Sequence, residues 1–277
     1  MSKPKDVFVL DVARPSSTHH VTDEFASEFT IEDIEVAAGC LFDESRFVAD
    51  RIVSAVPVSV VVPTLNEADN LPYLFARMPT AVAEVILVDC DSTDETVAIA
   101  RKLWPSVVVL QQSGNGKGNA LACGFWAATG DIVVMLDADG STDPAEIPRF
   151  VAALLAGADF AKGSRFIAGG GSADITRIRR LGNWGLAKVV NGFWGGRYSD
   201  LCYGYNAFWR RCLPFINPDR AGFEVEALIN IRAARTGLRV FEVPSFEHDR
   251  RDGVSNLSAR RDGVRVLRTI LAERVRP

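Results

Sequence analysis

The sequence predicts an α/β protein, an αβα sandwich around a mostly parallel central sheet. Three observations carry that expectation. From Val58 onward, short runs rich in Val, Ile and Leu alternate with stretches of helical periodicity, the pattern of βαβ units. The strand-like runs are nearly continuous in apolar residues, as in strands covered on both faces. Three of these runs end in polar or acidic clusters, at the strand ends where open parallel sheets bind their ligands.

In chain order, residues 1–56 form an acidic arm with 11 acidic and 5 basic side chains. Ile31, Ile34, Val36, Ala38, Leu41 and Phe42 lie near helical spacing and predict a helix over 31–53. Packing of the arm on the core or on a second copy of the chain are both open, and with them a homo-oligomer. Strands are expected at 58–62, 84–89, 106–110, 131–136, 158–162 and 238–243. Helices are expected between them at 67–78, 94–103, 117–128 and 144–156. Residues 57–258 are thus read as the catalytic-sized domain. Residues 259–277 are read as a basic amphipathic helix, with Val264, Leu267, Ile270, Leu271 and Val275 on one set of positions and arginines on others. Such a helix suits either an anionic membrane surface or ordinary packing over the sheet.

The 277 residues suffice for a large core without disulfides. The net charge of −4 argues against a general nucleic-acid binder. Five scattered cysteines without a CxxC pair point to neither a zinc site nor a disulfide framework, and to a reducing cytoplasm. Lys3 and Lys5 precede only four apolar residues before Asp11, so no signal-peptide core is expected. No apolar run reaches membrane-spanning length.

The chemistry is expected after the strands. Pro63-Thr64-Leu65-Asn66-Glu67 follows the first, Asp89-Cys90-Asp91-Ser92-Thr93-Asp94 the second, and Asp137-Ala138-Asp139-Gly140-Ser141 the fourth. Thr64, Asn66 and Thr93 also suit helix caps. Asp-x-Asp at a strand end offers two hard oxygen donors to Mg²⁺ or Mn²⁺. Ser113-Gly114-Asn115-Gly116-Lys117-Gly118 opens a helix, where glycines admit a close backbone approach and the helix N-terminus favours an anion. It is not a Walker A loop, and no GxGxxG follows the first strand, which weakens a dinucleotide-dehydrogenase reading.

Taken in order, these segments resemble the family 2 glycosyltransferases of GT-A fold, a Rossmann-like αβα sandwich. The polyprenyl (dolichyl) phosphate mannosyl- or glucosyltransferase branch is the most similar. Lys162-Gly163-Ser164-Arg165, Asp200-Leu201-Cys202-Tyr203-Gly204, Gly222-Phe223-Glu224-Val225-Glu226, Glu242-Val243-Pro244 and Gly253-Val254-Ser255-Asn256-Leu257 continue the resemblance over about residues 58–272.

The resemblance implies a metal-dependent transfer of a sugar from a UDP- or GDP-sugar, with inversion in most of the family. It implies Pro63, Thr64, Leu65, Glu67, Asp89, Asp91, Gly116, Lys117, Asp137, Ala138 and Asp139 around the nucleotide-sugar. It implies Asp137 and Asp139 at the metal, and Arg165, Arg179 and Asn183 at an acceptor phosphate. Catalytic roles fall on Asp139 and Arg165, and, for an acceptor needing a general base, on Asp200, Glu226 or Glu224. Each of these acids could equally be structural, and Arg177, Arg179 and Arg180 a solvated basic face. Cys90 replaces the aspartate usual in the family's Asp-Asp-Gly-Ser segment, and Ser141 stands where relatives carry Gln or another polar residue. The expected acceptor is a polyprenyl phosphate, which would put a cytoplasmic enzyme in peripheral contact with the inner face of the membrane; a soluble metabolite is the alternative. A nucleotidylyltransferase fits less well, because Pro63-Thr64-Leu65-Asn66-Glu67 is not its glycine-rich loop. A non-catalytic binding protein on the same fold is the remaining alternative.

Overall fold

The computed structural model describes residues 44–251 and 259–276. Helix α1 (Glu44–Ser54) precedes β1 (Val58–Thr64), α2 (Leu71–Arg77), β2 (Glu84–Asp89), α3 (Thr96–Leu103), β3 (Val108–Gln111), α4 (Lys117–Ala127) and β4 (Ile132–Met135). A short 3₁₀ turn leads into α5 (Ile147–Leu155). Then follow β5 (Phe160–Ser164), β6 (Gly171–Ser172), α6 (Arg177–Trp194), β7 (Asn206–Trp209), α7 (Leu213–Ile216), α8 (Glu224–Arg235), β8 (Val240–Pro244), β9 (Phe246–Glu247) and α9 (Ala259–Val275).

The main sheet has seven strands in the order β3-β2-β1-β4-β7-β5-β8. All its pairings are parallel except those of β7, which runs antiparallel to β4 and β5. The six strands expected from sequence are present, with ends shifted by one or two residues. β7 was not foreseen. Asn206-Ala207-Phe208-Trp209 is four residues long and carries no Val or Ile; its strand conformation comes from two neighbouring strands rather than from β-propensity.

Val58, Val60 and Val62 point to one side of the sheet, with Leu74, Phe150, Val151 and Tyr205. Val61, Ile86 and Val88 point to the other, with Phe125, Phe208 and Ile229. This alternation, apolar on both faces, is why the strand runs read as continuous. The end of the arm belongs to the first layer: Ile52, Val53 and Val56 are buried in that core. The remainder of the helix expected over 31–53 and the segment 253–257 lie outside the described residues.

α6 carries the clearest local signals. Thr176 accepts the Arg179 amide as N-cap (3.2 Å), and Gly195 ends the helix in the left-handed region. α9 packs on α8 and α6. Its buried face is Asp262, Val266, Thr269, Ile270 and Glu273. Of the five apolar positions singled out in this helix, only Ile270 is buried; Val264, Leu267, Leu271 and Val275 are exposed. Polar groups therefore fasten the helix: Glu273 pairs with Arg232 at 2.9 Å and Arg235 at 3.2 Å. No helix among the described residues is long and apolar enough to cross a membrane.

Candidate active site

The strand register brings the acidic loops together. Thr64 lies opposite Asp89, and β4 runs beside β1, so the loops after β1, β2 and β4 meet at one sheet edge. The first two are stitched to each other. The Asn66 amide donates to Ser92 Oγ (3.0 Å), Asn66 Oδ1 accepts the Thr93 amide (2.8 Å), and Asp94 accepts the Ala68 amide (3.2 Å). Asn66 and Asp91 both adopt positive φ, a conformation that Asn and Asp tolerate better than other side chains. Asn66 and Thr93 thus serve loop structure, and Thr64 donates its hydroxyl to the Val88 carbonyl, rather than capping the helices after them.

Asp89 is buried. Its Oδ2 accepts the Ser92 amide (3.1 Å), while Oδ1 is buried without a partner. Asp91 is exposed and accepts from Gln111. Pro63 is half-buried, and Leu65 is exposed at the mouth of the edge. Burial, followed by the charges of Asp89 and Asp91, pushes the Cys90 thiol up to about 11, so it stays protonated at neutral pH.

Asp139 is buried and doubly engaged. Its Oδ1 accepts the amide and hydroxyl of Ser141 (2.9 and 2.6 Å), and its Oδ2 pairs with Arg250 at 2.6 Å. Arg250 also lies 3.8 Å from Glu67. Burial pushes the Glu67 carboxyl up to about 7; the Asn70 hydrogen bond opposes this, and Asp139 adds to it. The segment carrying Arg250 is strapped across the site. The Arg251 amide donates to the Asp139 carbonyl, the His248 amide donates to the Ser141 carbonyl, and the Arg251 guanidinium sits 3.9 Å from the Tyr73 ring centre. No spacing signal in the sequence pairs Arg250 with a carboxylate 111 positions earlier.

Asp137 faces a different cation. Lys117 Nζ lies 2.6 Å from Asp137 and 2.5 Å from Glu226, joining the glycine loop, the β4 end and α8. Burial opposes the Lys117 charge, but Asp137 and Glu226 more than offset it and the pKa is raised. Glu226 is raised by burial against the pull of Lys117. The glycines beside Lys117 have a packing duty. Gly118 donates its amide to the Ala221 carbonyl at 2.8 Å, and a Cβ there would stand 1.7 Å from the Arg220 carbonyl oxygen. Gly116, at φ 84°, would place a Cβ 2.4 Å from the Ala221 oxygen. The close backbone approach expected of this loop is made to the protein itself.

Arg165 is almost wholly buried, and all its guanidinium nitrogens are engaged. Nε and Nη2 donate to Asp200 at 2.7 and 3.0 Å, and Nη1 donates to both oxygens of Glu247 at 3.0 Å. Asp200 has no exposed surface. Burial alone would raise its pKa, but Arg165 and Lys162 bring it below the ordinary value. This geometry leaves Asp200 without access to a proton on an acceptor and gives it the task of holding Arg165. Glu247, which sequence reading missed, shares that task.

Arg179 pairs with Asp174 at 2.7 Å. Asn183 is buried: Oδ1 accepts the amides of Leu201 (3.1 Å) and Cys202 (3.0 Å), and Nδ2 is buried without a partner. Glu224 is half-buried at the start of α8, with Oε2 unpartnered. Arg165, Arg179, Asn183 and Glu226 are among the residues lining a cavity of about 190 Å³ bordered by α6, α8 and α9. Its walls also include Ile178, Leu186, Phe223, Val266 and Asp262.

Among the described residues no group of three or more His, Cys, Asp or Glu side chains is arranged to hold a metal ion. Asp137 and Asp139 supply two hard carboxylates, and the Arg250 guanidinium shows that Asp139 draws a cation at this edge. That donor set fits a divalent ion completing its shell with water and ligand oxygens.

Comparisons with known proteins give the family. The glycosyl transferase family 2 model matches residues 59–228. Polyprenol monophosphomannose synthase of Mycolicibacterium smegmatis is 33% identical over 221 residues, 72% of this chain and 80% of that protein. Undecaprenyl-phosphate mannosyltransferase of Micrococcus luteus is 34% identical over 215 residues, 73% of this chain and 87% of that protein. Dolichol-phosphate mannosyltransferase of Pyrococcus furiosus is 31% identical over 73% of this chain, and the match spans 60% of that longer protein. In fold, the chain is similar to glucosyl-3-phosphoglycerate synthase from Mycobacterium tuberculosis in complex with uridine diphosphate, with a TM-score of 0.67 at 22% identity, covering 87% of this chain and 88% of that one. A family match running from β1 into α8, joined by relatives above 30% identity over more than two thirds of the chain, makes this protein a member of the family 2 glycosyltransferases, with the GT-A fold.

Proposed function

We propose that this transferase moves a sugar from a UDP- or GDP-sugar to a polyprenyl phosphate, working as a peripheral enzyme at the inner face of the membrane. The observation that carries the acceptor is the cavity between α6, α8 and α9. Its apolar walls suit a hydrocarbon chain, and Arg179 and the Asn183 amide in its lining suit one phosphate, beside the carboxylates of Glu226 and Asp262. The names of the relatives from Mycolicibacterium and Micrococcus point the same way.

The donor lies across the strand edge. Pro63, Thr64, Leu65 and Glu67 face the base and ribose with Asp91, and the orphaned Oδ1 of Asp89 accepts a ring or ribose hydrogen. Asp137, Ala138 and Asp139 border the diphosphate, with Gly116 and Lys117 beside them. Asp139 and Asp137 would hold a divalent cation, Mg²⁺ or Mn²⁺, which would neutralise charge on the diphosphate. Arg250, paired with Oδ2 of Asp139, would have to release that oxygen and would then face the diphosphate.

At the acceptor side, Arg179 grips the phosphate after exchanging Asp174, and Asn183 Nδ2 donates to it. Arg165, whose guanidinium is fully engaged by Asp200 and Glu247, is fixed in the wall with no donor left for the phosphate. A phosphate oxygen is already anionic, so attack on the anomeric carbon needs no general base, and positioning supplies much of the catalysis. Glu226, whose charge is answered by Lys117, holds that lysine in place. Attack from the acceptor side, opposite the leaving diphosphate, inverts the anomeric centre.

The test is release of nucleoside diphosphate from a panel of UDP-, GDP- and dTDP-sugars with and without polyprenyl phosphate. Stimulation by the lipid phosphate, with the sugar recovered on it, supports the acceptor. Release unaffected by the lipid but stimulated by phosphoglycerate moves the acceptor to a soluble metabolite.

A further inference from the structure

Helix α9 has two faces. Asp262, Val266, Thr269, Ile270 and Glu273 are buried. On the opposite side Val264, Leu267, Leu271 and Val275 are between 41% and 82% exposed. At 100° per residue these four fall within about 80° of one another, so they form one narrow stripe turned away from the core. Their spacing of three, four and four residues is that of a seam made for a second helix. Arg261, Arg265 and Arg268 run along one side of the stripe and Arg274 along the other, all exposed. The two acids of the helix, Asp262 and Glu273, sit on the buried face, where Asp262 lies 3.3 Å from Arg265 and 3.7 Å from Arg261. A helix that fits this stripe therefore carries an apolar seam and an acidic flank.

The acidic arm supplies such a helix. Ile31, Ile34, Ala38 and Leu41 repeat at three, four and three residues. Glu28, Glu32 and Glu35 flank that seam at the same four-and-three spacing as Arg261, Arg265 and Arg268. Residues 21–43 hold seven acids and no lysine or arginine. Both seams are about three turns long, roughly 15–17 Å at 1.5 Å per residue.

The arm's attachment decides which copy it serves. Glu44 opens α1, whose Ile52 and Val53 belong to the core on one face of the sheet. Val266 and Ile270 of α9 belong to the core on the other face. Helices on the two faces of a sheet stand on the order of 20 Å apart. From Leu41 to Glu44 the chain reaches about 11 Å at most. An arm helix paired through Leu41 therefore cannot reach the α9 of its own copy.

We propose that residues 31–41 of one copy pair with the α9 stripe of a second copy, and that the exchange is reciprocal, giving a two-fold dimer. Glu28 and Glu35 occupy the flank that Arg261 and Arg268 occupy on α9. Like flanks of two paired helices meet when the helices run antiparallel, so these four residues form the ionic border of each contact. The exchange also braces the acceptor cavity, because Asp262, Gly263 and Val266 of α9 line it. The dimer itself does not depend on what that cavity binds.

The test is sedimentation velocity of the full chain over a wide range of concentration, with two variants, Arg261→Glu/Arg268→Glu and Glu28→Arg/Glu35→Arg. Each is checked for native circular dichroism. The wild-type chain is expected to dimerise, and each variant alone to dimerise at least about tenfold more weakly, because like charges then face each other. An equimolar mixture of the two variants should recover the dimer, since every arm then meets an α9 flank of opposite charge. All four substitutions in one chain should recover it too. A wild-type chain that stays monomeric at every concentration would overturn the inference. So would a dimer indifferent to the arm substitutions, which would pair α9 with α9, or a mixture that fails to recover the dimer. Flotation of a monomeric chain with phosphatidylglycerol vesicles, lost in Arg261→Glu/Arg268→Glu, would give the stripe to a lipid surface and overturn it as well.

Discussion

Arg250 and Asp139 define the site at the residue scale. A guanidinium 2.6 Å from the carboxylate that is proposed to hold a divalent ion competes with that ion. Arg250→Gln is therefore expected to bind Mn²⁺ several-fold more tightly in the absence of nucleotide, read by electron paramagnetic resonance of free Mn²⁺, and to bind the nucleoside diphosphate more weakly. Unchanged Mn²⁺ affinity would show that Arg250 does not compete for Asp139. Glu67 makes a separate prediction. Its folded pKa is raised to about 7 from an ordinary 4.5, so the folded state holds more protons than the unfolded one between those values. Its contribution to stability is present below pH 4.5 and is lost as pH rises towards 7. Glu67→Gln should flatten that part of the melting-temperature profile, and an unchanged profile between pH 5 and 7.5 would refute the assignment. Much of this site was legible in sequence, because Asp89, Asp91, Asp137 and Asp139 sit at strand ends that short-range pattern identifies. Arg250 and Glu247 were not, because their partners are 111 and 82 positions away and only the fold pairs them.

At the scale of elements, the β5 end, the loop after α6 and β9 are joined through Arg165. Removing one partner leaves a buried charge, so Arg165→Ala or Asp200→Asn is expected to cost about 3–5 kcal/mol, lowering the melting temperature by on the order of 10 °C. A loss of activity in either with an unchanged melting temperature would mean that the pair is catalytic rather than positioning. Glycines separate in the same way. Gly118→Ala drives a Cβ into the Arg220 carbonyl and should destabilise by at least about 1–3 kcal/mol. Gly192→Ala, with nothing within 4 Å, should stabilise α6 by about 0.5–1 kcal/mol. Equal melting temperatures for the two would contradict the packing. The elements themselves were readable where period and length agree, as in β1, β2, α4 and α5. β7 was not, because four residues without Val or Ile carry no period, and only its position between β4 and β5 makes it a strand. The glycine loop was read as open to a ligand because sequence shows the freedom of glycine but not the carbonyls of Arg220 and Ala221 that use it.

On the scale of the whole molecule, the proposed function divides between the sheet edge and the α6–α9 side. The edge gathers carboxylates, proposed to meet a nucleotide-sugar, while α6, α8 and α9 border a cavity whose lining includes Arg165, Arg179 and Asn183 together with Glu226 and Asp262. Asymmetry of charge follows the same division: the chain is net acidic, yet residues 250–277 carry 8 arginines against 3 acids. This layout predicts that Arg179→Ala raises KM for the lipid phosphate with little change in KM for the donor, and equal changes in both would place Arg179 elsewhere. The most direct test of the account is metal-dependent release of nucleoside diphosphate from UDP- and GDP-sugars, measured with Mg²⁺ or Mn²⁺ and with EDTA, in the presence and absence of polyprenyl phosphate. The account predicts release that rises with the lipid phosphate, stops with EDTA, and falls at least about a hundredfold in Asp139→Ala. Release that ignores the lipid phosphate, or that survives both EDTA and Asp139→Ala, would contradict it.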